Sequence, residues 1–346
     1  MAFVTPARLE LGDTVAVLSL SSGLAEQFPH VFDHGLNNLA RGFGLTILAY
    51  PGTRASSRYL AAHPESRARD LVAALEDVQV AAIVSAIGGD DSVLVLEHVD
   101  PLVLRRHPKI ILGYSDFTTY LTYLHQAGVV TYHGPAVMAG FSQMDTLGRP
   151  WQQHVRAMLF EPKARYVLPS FGRYSDGYLD WNDLANLGRV KPPHRDAGPR
   201  VLQGGGRVRG RLFGGCVEVL ESLKGTRFFP PASFFDDAIL FLETSEETPT
   251  PLAVHRWLRN YGSSGVLGRI RALLLGRCRN YTLQQKREVE QRVLTVVRDE
   301  FHLRDLSVIV NLPFGHTDPQ WILPLGLNVE VTLDDSTVRL LDLPVS

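Results

Sequence analysis

Apolar residues in the first 135 positions follow two alternating patterns, one typical of strands and one typical of helices. Runs that are apolar almost throughout predict buried strands, and they lie at residues 14–20, 45–49, 80–87, 109–112 and 129–133. Between these runs, apolar residues recur at helical spacing, as at Phe28, Val31, Phe32, Leu36 and Leu39. Strands that are apolar on both faces and alternate with helices predict a parallel sheet covered by helices on each side.

The alternating pattern returns in the second half of the chain. Strand-like runs lie at residues 208–213, 238–242, 270–275 and 307–311. Two last runs, at 328–333 and 338–343, flank Asp334-Asp335-Ser336 and predict a hairpin. Between the halves, residues 140–205 lose this periodicity and are rich in Gly, Pro and Arg. A stretch of this length and composition predicts a functional loop or an interdomain linker.

The length of the chain predicts two domains, because 346 residues exceed what one hydrophobic core usually spans. We therefore predict an α/β protein with a doubly wound, mostly parallel sheet in an N-terminal domain, residues 1–165. Residues 166–206 would form a linker or catalytic loop. Residues 207–346 would form a C-terminal α/β domain that ends in a hairpin.

Composition narrows the function classes. Hydrophobic residues make up 45% of the chain and charged residues 21%, as in globular proteins. A net charge of -1 gives no field that would favour nucleic acid or an anionic membrane. Two cysteines exclude a disulfide framework and fit a reducing compartment. Residues 1–12 contain no long apolar stretch of the kind found in signal peptides, and no apolar run approaches the ~20 residues of a membrane span. We expect a cytoplasmic protein with neither nucleic acid nor membrane as partner.

One predicted strand turns directly into a helix around a serine. Gly113-Tyr114-Ser115-Asp116 separates the apolar run from the helical spacing that begins at Phe117. Such a turn lifts the Ser hydroxyl clear of the sheet and aims the first N–H groups of the helix at whatever the Ser attacks. The usual pattern, G-x-S-x-G, lacks its final Gly here, and a Ser at this junction can equally be a helix N-cap. Ser115 is therefore a candidate nucleophile.

A glycine pair follows the preceding strand, in the run Gly88-Gly89-Asp90-Asp91-Ser92. Because parallel strands end at one edge of a sheet, this run should lie beside Ser115. The pair could let the Gly89 N–H approach a reacting carbonyl and form an oxyanion hole with the Asp116 N–H. The alternative is a tight turn, a common use of Gly pairs. No G-x-G-x-x-G or Walker pattern is present, so no nucleotide cofactor is expected.

Two residues of the second half repeat the placement of Ser115 at a strand end. Glu243 closes the apolar run at 238–242, and His316 lies just past the run at 307–311. Either could be an ordinary exposed or loop residue. Together with Ser115 they are the set that nucleophilic acyl transfer needs, with His316 as base and Glu243 as the group that orients it. The residues alone thus support a Ser–His–Glu hydrolase as a hypothesis, beside the interpretation in which each is an ordinary strand-end residue.

The intervening loop carries two large aromatics, Tyr178 and Trp181, in a polar setting. They could stack on a flat ligand, or they could anchor the loop to the core. No H-E-x-x-H motif is present, and His30 and His34 have no obvious acidic third ligand nearby. We therefore predict no metal site.

Five motifs together give the chain a resemblance that covers nearly its whole length. They are Ile87-Gly88-Gly89-Asp90-Asp91-Ser92, Gly113-Tyr114-Ser115-Asp116, Tyr132-His133-Gly134-Pro135, Phe241-Leu242-Glu243-Thr244-Ser245-Glu246 and Pro313-Phe314-Gly315-His316. With these motifs the chain resembles the LD-carboxypeptidase family of serine peptidases, and within it the branch of microcin C immunity proteins.

The resemblance implies a Ser115–His316–Glu243 triad placed between the two domains, with an oxyanion hole from the Gly89 and Asp116 N–H groups. It also implies a small-molecule substrate, no metal and commonly a homodimer. The substrate would contact the run Gly88, Asp90, Asp91 and Ser92.

The branch decides the substrate that the resemblance implies. Muropeptide carboxypeptidases of the family typically carry an Arg before the Gly pair and an aromatic residue after it, where this chain has Ile87 and Asp90. The immunity branch places a Trp on a loop where it stacks on adenine, and Trp181 matches it. The implied reaction hydrolyses the amide-type bond between an aminoacyl or peptidyl group and a modified adenylate, which detoxifies microcin C-like inhibitors. Cys216 stands where the family often has Asn, which would alter substrate recognition.

Two other functions stay open at this point. A muropeptide LD-carboxypeptidase, which releases a terminal D-amino acid in cell-wall recycling, needs the same triad but gains nothing from Trp181. A non-catalytic protein that sequesters a nucleotide-like ligand would not need Ser115, Glu243 and His316 at three strand ends.

Overall fold

The structure is a computed structural model that describes residues 3–346. These residues form two large sheets and one two-stranded ribbon. Their strands are β1 (Thr14–Leu18), β2 (Thr46–Ala49), β3 (Val80–Ser85), β4 (Ile110–Gly113), β5 (Thr131–His133), β6 (Arg173–Tyr174), β7 (His194–Arg195), β8 (Arg200–Gln203), β9 (Arg207–Cys216), β10 (Ala238–Glu243), β11 (Ala272–Gly276), β12 (Ser307–Leu312), β13 (Leu323–Leu325), β14 (Asn328–Thr332) and β15 (Thr337–Leu340).

Helices connect most of the strands. They are α1 (Leu24–Gln27), α2 (Pro29–Phe43), α3 (Ser57–Ala62), α4 (Pro64–Glu76), α5 (Leu102–Arg106), α6 (Thr118–His125), α7 (Met144–Leu147), α8 (Arg149–Leu159), α9 (Val217–Leu223), α10 (Pro251–Ser263) and α11 (Leu283–Leu294). No helix within residues 3–346 is both long enough and apolar enough to cross a membrane.

The first sheet has the strand order β13-β5-β4-β3-β1-β2. Strands β1 to β5 are parallel, and β2 and β3 lie on opposite sides of β1. The chain therefore reverses its direction across the sheet at β1, which makes the sheet doubly wound and confirms that prediction. Ligands of such sheets bind at this reversal, beyond the carboxyl ends of the strands. The loops after β1, β3 and β4 lie at that edge.

The second sheet has the order β15-β14-β9-β10-β11-β12-β8. Its four central strands, β9 to β12, are parallel, and β14 and β15 form the predicted terminal hairpin. The α/β fold class is thus confirmed. Strand β13 lies in the chain between β12 and β14 of the second sheet, but it pairs with β5 of the first sheet. The chain therefore returns to the first sheet before it completes the second. The domain boundaries predicted above remain a prediction.

Burial explains why the strands form where the apolar runs lie. Ile110, Ile111 and Leu112 of β4 are fully buried, as are most residues of β10. Each aliphatic side chain removed from water stabilises the fold by roughly 1.5–3 kcal/mol. The strand that carries the serine is therefore held rigidly, which fixes the position of the turn that follows it.

Some local features differ from what the sequence pattern predicts. Gly214-Gly215 predicts a turn into a helix, but both residues lie inside β9, which continues to Cys216. The residues from Val155 to Phe160 predict a short helix, and the observed helix, α8, begins earlier, at Arg149. The pattern over 283–301 predicts one long helix, but α11 ends at Leu294 and Thr295–Glu300 is a π-helical segment. The loop at 166–206 is not structureless, because it contributes β6, β7 and β8.

Candidate active site

Ser115 stands at the turn between β4 and α6. Strand β4 ends at Gly113, and Ser115 begins a short 3₁₀ turn that leads into α6 at Thr118. The Ser115 φ angle is +60°, in a region that residues other than Gly rarely occupy. Backbone strain of this kind is characteristic of a nucleophile elbow. The strand–turn–helix arrangement agrees with the one expected from the sequence.

Gly88 lies directly against the Ser115 side chain. A Cβ atom placed on Gly88 would lie 2.9 Å from Ser115 Oγ and 3.7 Å from the Asp116 nitrogen. Any side chain at position 88 would therefore fill the space in front of the hydroxyl and the adjacent N–H. Gly89 follows and is exposed. Gly88 thus adjoins the candidate nucleophile and the Asp116 N–H, as the shared sheet edge predicts, whereas Gly89 lies against Ser21.

Asp116 holds the loop after β3 in place. Its carboxylate is buried and accepts hydrogen bonds from the Ser92 N–H, at 3.2 Å, and from the Ser92 hydroxyl. The Ser92 hydroxyl also lies 2.8 Å from the hydroxyl of Ser21, in the loop after β1. Burial raises the pKa of the Asp116 carboxyl above its usual range. The Asp116 side chain thus positions the glycine loop, while its N–H faces Gly88.

Asp91 pairs with a buried arginine of α4. Arg67 Nη1 lies 2.5 Å from Asp91 Oδ1, and Nη2 lies 3.2 Å from Oδ2. The Arg67 side chain is fully buried, and it also donates to the carbonyl oxygen of Leu20 at 3.0 Å. A two-point pair of this kind fixes geometry as well as charge. In the structure Asp91 and Ser92 therefore support the loop, whereas Asp90 is exposed.

Glu243 and His316 meet across the ends of β10 and β12. Glu243 is the last residue of β10 and is buried, and its Oε2 lies 2.7 Å from His316 Nδ1. Gly315, with φ +90°, allows this approach, since a Cβ there would lie 2.6 Å from Glu243 Oε2. Burial raises the pKa of Glu243, but its contacts with His316 and His133 outweigh this and lower it to about 2. A carboxylate on Nδ1 fixes the imidazole tautomer.

The second nitrogen of His316 faces another carboxylate. Nε2 lies 2.9 Å from Glu246 Oε2, and no hydrogen bond joins His316 to Ser115 within residues 3–346. Burial lowers the pKa of His316, but Glu243 and Glu246 together raise it to about 10. Sequence reasoning included Glu246 in the motif that ends β10 but gave it no role.

His133, at the end of β5, is a further buried neighbour. Its Nε2 lies 3.7 Å from Glu243 Oε1, on the side of the carboxylate away from His316. Neither ring nitrogen of His133 has a hydrogen-bond partner among the described residues. Sequence reasoning included His133 in a motif but gave it no role. Its burial beside Glu243 places a second polar ring behind the candidate triad.

Trp181 belongs to an aromatic cluster on the loop. Its half-buried ring packs edge-on against Phe28, with centroids 5.5 Å apart, and lies 5.9 Å from the ring of Tyr178. His30 Nε2 donates to the Trp181 carbonyl oxygen at 2.8 Å. Tyr178 in turn donates to Asp318, which follows His316 closely in the chain. These contacts anchor the loop to the rest of the protein, and Trp181 remains partly exposed to solvent.

Cys216 lies beside Glu243 in the second sheet. The two residues are register partners of β9 and β10, and the Cys216 N–H donates to Thr118 Oγ1 at 3.2 Å. Burial and the nearby carboxylates raise the pKa of the Cys216 thiol well above its usual range. The thiol donates to Glu218 Oε2 at 3.4 Å. The structure thus brings Cys216 close to the candidate site as a buried thiol.

The imidazole of His316 is paired with carboxylates, and the ring of Tyr114 packs against it with centroids 4.9 Å apart. Within residues 3–346, no group of three or more His, Cys, Asp or Glu side chains is arranged to hold a metal ion. What the arrangement offers chemically is a hydroxyl on a strained turn, an open N–H beside it, and an imidazole held by a buried carboxylate.

Known proteins share this architecture. A putative carboxypeptidase of Vibrio cholerae is 27% identical over 96% of both chains. The microcin C7 self-immunity protein of Escherichia coli is 25% identical, covering 96% of this chain and 94% of its own. The structure of a MccF-like protein from Streptococcus pneumoniae in complex with AMP superposes with a TM-score of 0.84 at 27% identity, covering 95% of this chain and 99% of its own.

Family-level comparison covers both halves of the site. The LD-carboxypeptidase N-terminal domain matches residues 15–134, which include Ser115, and the LD-carboxypeptidase C-terminal domain matches residues 209–331, which include Glu243 and His316. The protein therefore belongs to the LD-carboxypeptidase family, whose members are peptidase-like hydrolases, and within that family it resembles the microcin C immunity branch.

Proposed function

We propose that this hydrolase works through a triad of Ser115, His316 and Glu243. The observation that carries the proposal is the pairing of His316 Nδ1 with the buried Glu243 at 2.7 Å. The His316 ring lies 4.9 Å, centroid to centroid, from the ring of Tyr114, the residue before Ser115 on the strained strand-to-helix turn. A buried carboxylate on Nδ1 leaves Nε2 as the nitrogen that exchanges a proton with a nucleophile. Ser115 is the hydroxyl that the sheet edge offers.

In the proposed reaction, His316 Nε2 accepts the Ser115 proton as Oγ attacks the carbonyl carbon of the substrate. The negative charge that develops on the carbonyl oxygen is stabilised by the N–H groups of Gly89 and Asp116. His316 then gives the proton to the leaving nitrogen, and the acyl group remains on Ser115. A water molecule, deprotonated by His316, releases the acid and restores the serine. Glu243 stabilises the imidazolium in both halves of the cycle.

We further propose that the substrate is an aminoacyl or peptidyl group joined through an amide-type bond to a modified adenylate. The open part of the Trp181 ring would stack on the adenine, since aromatic faces suit flat heterocycles. Support comes from the aromatic cluster that holds Trp181 at the site loop. It also comes from the likeness to an immunity protein against microcin C7 and to a protein solved with AMP.

Hydrolysis of two substrate types by the wild type and two Trp181 variants tests this assignment. An aminoacyl sulfamoyl adenylate should be cleaved, and an L,D-tetrapeptide ending in D-Ala should not. Trp181→Ala should raise KM for the adenylate about tenfold, because a base–aromatic stack contributes 1–3 kcal/mol. Trp181→Phe keeps an aromatic face, so its KM for the adenylate should rise less than that of Trp181→Ala. Cleavage of the tetrapeptide alone, unaffected by Trp181→Ala, would instead assign the protein to muropeptide hydrolysis.

A further inference from the structure

A cavity of about 290 Å³ lies between α10, α11 and the ends of strands β10 to β12. Much of its wall is apolar, with contributions from Leu242, Val254, Leu258 and Val289. Its size falls just below the range typical of drug-sized ligands, so it suits a smaller molecule. Among the described residues that line it, Glu243 is shared with the candidate active site, but Ser115 and His316 are not. The cavity is therefore distinct from the hydrolytic centre.

A buried arginine with unused donors lines this cavity. The Arg277 side chain is fully buried, and its Nη2 donates to Asp196. Its Nε and Nη1 have no hydrogen-bond partner among residues 3–346, and neither does the buried hydroxyl of Thr244 in the same wall. Buried donors are nearly always satisfied in folded proteins, because each unsatisfied group costs about 1–3 kcal/mol. Two guanidinium nitrogens and one hydroxyl in the cavity wall thus have no acceptor among the described residues.

The charge around the cavity favours an anion as that acceptor. Five basic residues line it, Arg195, Arg200, Arg277, Lys286 and Arg287, against two acidic ones, Glu243 and Glu290. Asp196, the partner of Arg277, brings the acidic groups to three, so the surplus of positive charge is two.

Of the cationic side chains, Arg200 is paired with Glu290. The Lys286 ammonium has only the Tyr174 hydroxyl as a hydrogen-bond partner among the described residues, at 3.2 Å. The Lys286 ammonium therefore lines the cavity without an acidic partner, whereas the charge of Arg277 is balanced by Asp196 and only its Nε and Nη1 lack an acceptor among the described residues.

We infer that this cavity is a second binding site, for a small amphipathic anion with a carboxylate or phosphate head. The head would meet Arg277 and Lys286, which supply charge-assisted hydrogen bonds. The apolar body would lie against Val254, Leu258 and Val289. The inference does not depend on the proposed hydrolysis, since binding can be measured in the absence of any substrate.

Calorimetry with hexanoate, hexyl phosphate and hexan-1-ol tests the preference for an anion. Either anion should bind about tenfold or more tightly than the alcohol, because only the anions pair with the buried guanidinium. The tighter of the two identifies the head group as carboxylate or phosphate, and either order supports the inference. Equal binding of the alcohol and both anions would overturn it.

A crystal structure with 6-bromohexanoate locates the ligand, because bromine gives an anomalous signal. The inference requires bromine between α10 and α11. Bromine found only beside Ser115, or no bound ligand at all, would contradict it.

Hexanoate binding by two cavity variants and one control variant tests whether the residues lining the cavity bind the ligand. Lys286→Met removes one cation and should weaken hexanoate binding about tenfold. Val254→Phe should block the cavity with a larger ring. Arg292→Met changes a basic residue of the same helix whose partner is Glu288, outside the cavity, and should bind hexanoate as the wild type does. Arg277 itself is left intact, because its loss would strand Asp196. Unchanged affinity in either cavity variant would overturn the inference.

Discussion

His316 Nε2 lies 2.9 Å from Oε2 of Glu246, a carboxylate three residues beyond Glu243. Both imidazole nitrogens therefore face a negative charge. Burial alone would lower the pKa of His316, but the two carboxylates raise it to about 10, so the ring is protonated at neutral pH. A protonated ring cannot accept the Ser115 proton. The Glu246 side chain is 55% exposed, so it can leave Nε2 when a substrate enters.

The first prediction follows from this contact. Glu246→Gln removes one of the charges that favour the imidazolium, so the pKa of His316 falls and the neutral base is present at lower pH. The rising acid limb of the kcat/KM profile should move to lower pH. Glu247→Gln, at the neighbouring exposed position, should leave the profile in place. Superimposable profiles for Glu246→Gln and the wild type would show that Glu246 does not control the base.

A second prediction concerns the space in front of Ser115, the candidate nucleophile. Gly88→Ala places a Cβ 2.9 Å from Ser115 Oγ, so the hydroxyl or the substrate carbonyl must shift. Because misplacing a reacting group by about 1 Å can cost about 10²-fold in rate, we expect Gly88→Ala to lower kcat by about that factor. Gly205→Ala is the matched control, because a Cβ there meets no atom within 4 Å. Full activity of Gly88→Ala in steady-state assays would mean that the substrate does not approach Ser115 past Gly88.

A third prediction separates loop support from substrate contact at Asp91. Asp91→Ala leaves the buried Arg67 without its partner and should lower the free energy of unfolding by about 2–4 kcal/mol. Asp90→Ala changes an exposed neighbour, and its free energy of unfolding should stay within about 0.5 kcal/mol of the wild-type value. Urea denaturation of the two variants makes the comparison. If Asp91→Ala instead raised KM with unchanged stability, Asp91 would be a substrate contact, as the resemblance implies.

Much of the site follows from one regularity of the sequence. Ser115, Glu243 and His316 each follow an apolar run, and parallel strands end at a common edge, so their placement at strand ends was predictable. The serine turn has the expected form, and Glu243 and His316 lie in contact. The roles of these residues, the homodimer and the cytoplasmic location remain predictions.

Other parts of the site depend on packing that leaves no local pattern. Arg67 is on a helix and meets Asp91 across 24 residues, and no periodicity distinguishes a buried Arg from an exposed one. His133, at the end of β5, contacts Glu243, and Glu246, in the loop after β10, contacts His316. Strand β13 is only three residues long, which is too short for an alternating pattern to be read. These contacts are set by tertiary structure alone.

Hydrolysis of an aminoacyl sulfamoyl adenylate by the wild type and by Ser115→Ala tests the central claim most directly. Thermal unfolding should first show that the variant is folded, since Ser115 makes no side-chain hydrogen bond within the described residues. The account predicts cleavage by the wild type and a loss of about 10³-fold or more in kcat for Ser115→Ala. Undiminished cleavage by folded Ser115→Ala would contradict the assignment of Ser115 as the nucleophile.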